Sequence, residues 1–189
     1  MKVNFEKEYE ESFLKAIERT ATLNIENVDF KIDTNFEINI DLIKKLALKI
    51  VEDRDRLGVP RQISISDCGG MTASLQKLLL EHNISSLITI GDVIEIGKPK
   101  YKTTVQSLKN ELKKGISQDG VYLHVWLTLP NMYIIDTTLL LKSKRNLFFN
   151  KKLDYIKNGL YIEKKINNRA IFKPMLVGSN FLYKIGLLR

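Results

Sequence analysis

The sequence predicts an α+β domain with helices first and an antiparallel sheet after them, on three observations. Helical periodicity dominates the chain up to His82, and runs rich in β-branched and aromatic residues dominate beyond it. Two of those runs are separated by only a short turn at Pro130-Asn131, which suits a β-hairpin and leaves no room for a crossover helix.

The elements follow in order. Phe5 to about Thr20 reads as an amphipathic helix, with Phe5, Tyr9, Phe13, Leu14 and Ile17 at helical spacing. Leu23 to Ile40 alternates polar and apolar residues and reads as extended chain or a wrapping loop. Asp41 is the expected N-cap of a second helix, Leu42 to about Arg56, whose apolar face is Ile43, Leu46, Ile50 and Val51. Gly58, Val59 and Pro60 end it. Met71 to His82 gives the strongest helical pattern, with Leu75, Leu78 and Leu79 as its stripe and Asn83 as its stop.

Leu87–Ile96 and Val121–Leu129 then read as strands, and Met132–Asp136 as the second arm of the hairpin. Thr103–Lys114 is a short helix or an inserted loop. Tyr155–Lys164 and Ala170–Val177 are expected to add strands.

Composition narrows the class. A chain of 189 residues with 44% apolar content is expected to form one domain with an adequate core. The charged N-terminus carries no secretory signal, and no apolar run approaches a membrane span, so a cytoplasmic protein without membrane partners is expected. One cysteine excludes an intramolecular disulfide, and with two distant histidines it makes no metal set. No phosphate loop or dinucleotide fingerprint is present, so no cofactor is expected. The net charge of +8 comes mainly from lysines spread along the chain. Small clusters occur at Lys98–Lys102, Lys142–Arg145 and Lys164–Lys165, and only the first encloses an aromatic, Tyr101. That falls short of a base-stacking platform, so nucleic acid is disfavoured as a partner.

Three polar residues can carry chemistry together. Cys68 stands just before the strongest helix, where unpaired N–H groups and the macrodipole favour a thiolate. The glycines Gly69 and Gly70 beside it let a substrate backbone approach. His124 lies in a strand pattern that puts Tyr122, His124 and Trp126 on one face. The hairpin brings Asp136 roughly opposite the region of His124. A carboxylate there can hold one ring nitrogen while the other accepts the thiol proton. Separately, each residue has a plainer reading: a buried thiol, a core histidine, a turn-capping aspartate. His82, at the far end of its helix, is expected to meet the helix C-terminal carbonyls instead.

Asp67-Cys68-Gly69-Gly70, His124-Val125-Trp126 and Asp136-Thr137-Thr138 resemble the three active-site motifs of the transglutaminase-like superfamily, a group related in fold to papain-like peptidases and arylamine N-acetyltransferases. The resemblance spans roughly Arg61 to Thr138. It implies a Cys-bearing helix packed on an antiparallel sheet, with Cys68 as nucleophile, His124 as general base then acid, and Asp136 as orienter. Gly69-Gly70 replaces the bulkier polar residues of many members, which implies a different pocket beside the thiol; Gly69, Gly70 and Trp126 are the candidate cleft residues. Gln62 precedes Cys68 by the separation of the papain-like oxyanion glutamine, and an ordinary loop residue is an equally good reading of it.

The expected protein is thus one domain over residues 1–189, with a catalytic core at about 41–140 and extensions at 1–40 and 141–189. Its expected activity is acyl transfer on an amide or thioester carbonyl, as a peptidase, deamidase or transglutaminase-type enzyme. A protein or peptide is the expected substrate, with a small amide or amine as the other option. Two further readings are a non-catalytic module of the same fold that binds a polyanion, and an exported effector that deamidates a glutamine.

Overall fold

The computed structural model describes residues 5–57, 67–95, 97–115, 121–138, 161–163 and 170–188. Gln62, the charge clusters at 142–145 and 164–165, most of the expected strand 155–164, and the side chains of Phe5 and Val51 fall outside them.

The first helix, α1, runs Phe5–Thr22, with Tyr9, Phe13 and Ala16 buried at helical spacing. Leu14, expected on that face, is instead 42% exposed. Helix α2 covers Ile40–Arg56 and buries Ile43, Leu46, Ala47 and Ile50. Its cap is Asn39, not Asp41: Asn39 Oδ1 accepts the Leu42 N–H at 3.0 Å. Asp41 lies inside the first turn, where it pairs with Lys44. Between the two helices, 23–39 is irregular, with Ile25 buried and Asp33 N–H donating to Pro130 O.

Helix α3 is Cys68–Glu81. It starts three residues before the expected Met71, because Asp67 caps it by accepting the Gly70 N–H on Oδ1 at 2.8 Å. Asn83 stops the helix in a left-handed conformation, φ 58°. His82 donates from Nδ1 to Leu78 O at 2.9 Å, as expected of a histidine at a helix C-terminus. Helix α4, Val105–Lys114, starts from Thr104 with a reciprocal capping box to Ser107. A last short helix, α5, covers Asn180–Lys184, which periodicity alone did not reveal.

Among the described residues six strands form one sheet, and their pairings are all antiparallel: β1 Leu87–Glu95, β2 Lys98–Pro99, β3 His124–Thr128, β4 Ile134–Asp136, β5 Tyr161–Glu163 and β6 Ala170–Val177. Strand β1 is central. It pairs with β6 along one edge, and with β3 and then β2 along the other. The order continues β3–β4–β5. The hairpin forms at Pro130-Asn131 with Met132 at φ 63°, and its register sets Leu127 opposite Ile135.

The sheet is covered on both faces. On one, Ile88, Ile90, Val125 and Leu127 pack with α2, α3 and α5. On the other, Leu87, Val93, Trp126, Phe172 and Val177 pack with Tyr9, Phe13 and Ala16 of α1. Helix α1 and strand β6, from outside 41–140, contribute to this second cluster. Their docking includes polar bonds that hydrophobic patterning cannot encode. Thr20 Oγ1 accepts the Val177 N–H, and Arg19 donates to Met175 O. Among the described residues no helix is long and apolar enough to cross a membrane.

Candidate active site

Local folding explains each position. Asp67 starts α3 at Cys68, so the thiol sits on the first residue of the helix. Thr72, on the next turn, donates to Val125 O at 3.2 Å and pins this end of α3 beside the start of β3. His124 is the first residue of that strand. Extending the hairpin register places Asp136 across from Trp126, diagonal to His124 on the same face, which is within side-chain reach.

The three side chains meet. His124 Nε2–H donates to Asp136 Oδ2 in a bond closed to water, since both side chains are 0% exposed. Asp136 is itself oriented by Thr138, whose N–H donates to Oδ1 at 2.8 Å and whose hydroxyl donates at 3.4 Å. The second ring nitrogen, His124 Nδ1, is buried and has no hydrogen-bond partner. Cys68 is nevertheless near enough to the ring to help raise the His124 pKa. Cys68 keeps 6% of its surface exposed.

Electrostatics favour a charged imidazole. Burial pushes the His124 pKa down, but the Asp136 carboxylate and its hydrogen bond outweigh that, and Cys68 adds to them; the balance lifts it to about 9. The imidazolium is then the form present across neutral pH.

The candidate cleft residues divide differently from expectation. Trp126 is 0% exposed and donates from Nε1 to Tyr9 OH, which bonds Thr128 Oγ1 at 2.7 Å. It supports His124 from inside the core and lines no open cleft. Tyr122, expected on the same strand face, precedes β3 and is 79% exposed. Gly69 points inward, where a Cβ would rest against Leu182 at 3.8 Å. Gly70 faces the Asp67 carboxylate and opens onto a groove of about 640 Å³ on the outer side of α3, lined also by Lys77, Leu80 and Tyr183. No triad residue lines that groove.

The two glycines therefore predict opposite responses. A Cβ on Gly70 would come within 2.4 Å of Asp67 Oδ2, so Gly70→Ala must break the cap at the thiol's end of the helix. Loss of about 1 kcal/mol is expected by urea denaturation, with a parallel loss of thiol reactivity. Gly69→Ala meets only ordinary van der Waals contact and retains stability.

Two participants escaped the sequence reading. Tyr101 stacks on the His124 ring, centroids 4.8 Å apart and planes 5° from parallel. Burial pushes its hydroxyl pKa up, and the charges of Asp136 and Cys68 push it further the same way. Asp92, 2% exposed in the middle of β1, accepts the N–H groups of Val93, Tyr101 and Thr103. The available signal was an acid inside the apolar run Leu87–Ile96, since a buried carboxyl needs several donors. Among the described residues no group of three or more His, Cys, Asp or Glu side chains could hold a metal ion.

No family model matches the chain, and neither does a curated protein or a solved structure. The functional reading therefore stands on the site itself.

Proposed function

We propose that the chain is a cysteine-dependent acyl-transfer enzyme with a Cys68–His124–Asp136 triad on a papain-like, transglutaminase-like core. The observation that carries this reading is the division of labour on one buried ring. His124 Nε2–H is held by an oriented carboxylate, while Nδ1 is left without a partner beside the only thiol of the chain. A core histidine with no chemical role would have both nitrogens satisfied or one in solvent.

The chemistry follows from that arrangement. In the resting pair the thiol proton is already held on His124 Nδ1, as a thiolate–imidazolium pair, and the Cys68 sulfur attacks the carbonyl carbon of an amide or thioester. The resulting oxyanion needs donors. At the start of α3 the Gly70 and Met71 N–H groups are taken by Asp67, and among the described residues no hydrogen bond occupies those of Cys68 and Gly69. Collapse of the tetrahedral species expels an amine or thiol, which takes the proton from Nδ1. Water or an amine, deprotonated at Nδ1, then attacks the acyl-enzyme and regenerates the thiol. A protein or peptide amide is the substrate class we propose, with a small amide as the other.

Iodoacetamide labelling tests the reading without a known substrate. Cys68 in the wild type is expected to react at pH 7 at least about tenfold faster than a free cysteine of pKa ~8.5, and His124→Ala to abolish the excess. A wild-type rate at or below that of free cysteine would refute the triad and leave a binding module on the same fold.

A further inference from the structure

We propose that Asp92 and Tyr101 form a fixed clamp on the His124 imidazole, with Tyr101 as the positioning residue and Asp92 as its anchor. The consequence for catalysis rests on the acyl-transfer reading above; the clamp's effect on the ring does not.

One hydrogen bond to Asp136 holds a single nitrogen of His124 and leaves the ring free to pivot about it. A pivot of a few tens of degrees would turn Nδ1 away from Cys68, and misplacement on that scale is costly to proton transfer. Tyr101 removes the freedom. Its ring lies flat against the imidazole, while Trp126 and Phe172 approach the same ring at 5.9 and 6.5 Å. An imidazolium between aromatic faces is also electrostatically favoured.

The clamp is fixed and does not act as a gate, because the turn that carries Tyr101 is tied down on every side. Asp92 Oδ1 accepts the Tyr101 N–H at 2.9 Å and Oδ2 accepts the Thr103 N–H at 3.1 Å. Lys100 N–H donates to Val93 O at 2.8 Å, and Lys100 Nζ pairs with Glu95. Thr103 Oγ1 donates to Tyr122 O at 3.0 Å, tying the turn to the segment that leads into His124. Lys102, between Tyr101 and Thr103, is held at φ 56°, an unfavourable conformation for a lysine that these bonds must sustain. An apolar residue at Asp92 would suit β1 better; its carboxyl serves the turn.

The test uses protein labelled with 15N-histidine, in which exposed His82 is the internal reference. In the wild type and in Tyr101→Phe, which keeps the ring, the His124 Nε2–H proton is expected to exchange slowly with water. In Tyr101→Ala and Asp92→Asn it exchanges about tenfold faster, the scale set by loss of an aromatic pair, with His82 unchanged. Cys68 alkylation falls by a similar factor in the same two variants and recovers in Tyr101→Phe. Unchanged Nε2–H exchange in folded Tyr101→Ala overturns the clamp. If that variant does not fold, Tyr101→Leu, which fills the space without a flat ring, decides on the same readout. Slow wild-type alkylation with altered exchange in Tyr101→Ala refutes the acyl-transfer reading and keeps the clamp.

Discussion

Replacing Asp136 with Asn lowers the rate of acyl-enzyme formation by roughly four orders of magnitude, measured as the burst with p-nitrophenyl acetate; the expectation follows a serine triad, where the same exchange costs ~10⁴. The reason lies in Thr138. Its N–H and hydroxyl both donate to Asp136 Oδ1, so in Asp136→Asn they select the amide oxygen for that side. The amide NH₂ is then presented to His124 Nε2, which must become an acceptor. The ring proton moves to Nδ1, and the nitrogen beside Cys68 loses its lone pair for the thiol proton.

The same substitution changes the pH profile, and the sign is fixed by the direction of the shift. The His124 pKa is raised to about 9, so the imidazolium, which in the proposed mechanism protonates the leaving group, is present below that pH and lost as pH rises through it. The wild-type profile therefore descends near pH 9. Without the Asp136 charge, burial dominates, and the descending limb of the residual activity moves down by about 1–3 units. A variant with near-normal rate and an unmoved limb would remove Asp136 from the triad.

Gly91→Ala is expected to lower stability by at least about 3 kcal/mol, the upper end of ordinary overpacking, seen as a fall of roughly 6–12 °C in Tm by calorimetry. Gly91 pairs with His124 on β3 and with Pro174 on β6, at an irregularity in the β1–β6 register. A Cβ there would stand 2.0 Å from the Lys173 carbonyl oxygen and 3.1 Å from the Trp126 ring. The first of these is backbone inside a ladder and cannot rotate aside. Strand β6 would have to part from β1, or Trp126 be driven toward His124. The loss should come with reduced thiol reactivity, because the ring that supports His124 moves. Stability within about 0.5 kcal/mol of wild type would mean that the close approach is absent in solution.

The features legible in the sequence are those carried by neighbouring residues. The stripes Tyr9–Phe13 and Leu75–Leu79 mark helices because burial repeats at the helical period. Pro130-Asn131 marks a hairpin, and the hairpin's length brings His124 and Asp136 together. Helix starts were set by cap hydrogen bonds that periodicity does not show. Asn39 displaced Asp41 as a cap, and Asp67 drew Cys68, Gly69 and Gly70 into the helix that they were expected to precede.

The sequence by itself determined the α+β class, the antiparallel hairpin and the pairing of His124 with Asp136, since each follows from short-range periodicity and turn chemistry. Only the tertiary structure decided that α1 and β6 contribute to the second core cluster, that Trp126 is sealed by Tyr9, that Gly91 faces a strand far along the chain, and that Tyr101, seen first as one aromatic in a basic cluster, lies flat on His124. Those contacts join segments whose local patterns say nothing of each other. They arise when chain folding brings together a buried carboxyl, a close-packed backbone and an aromatic ring that need partners from elsewhere in the fold.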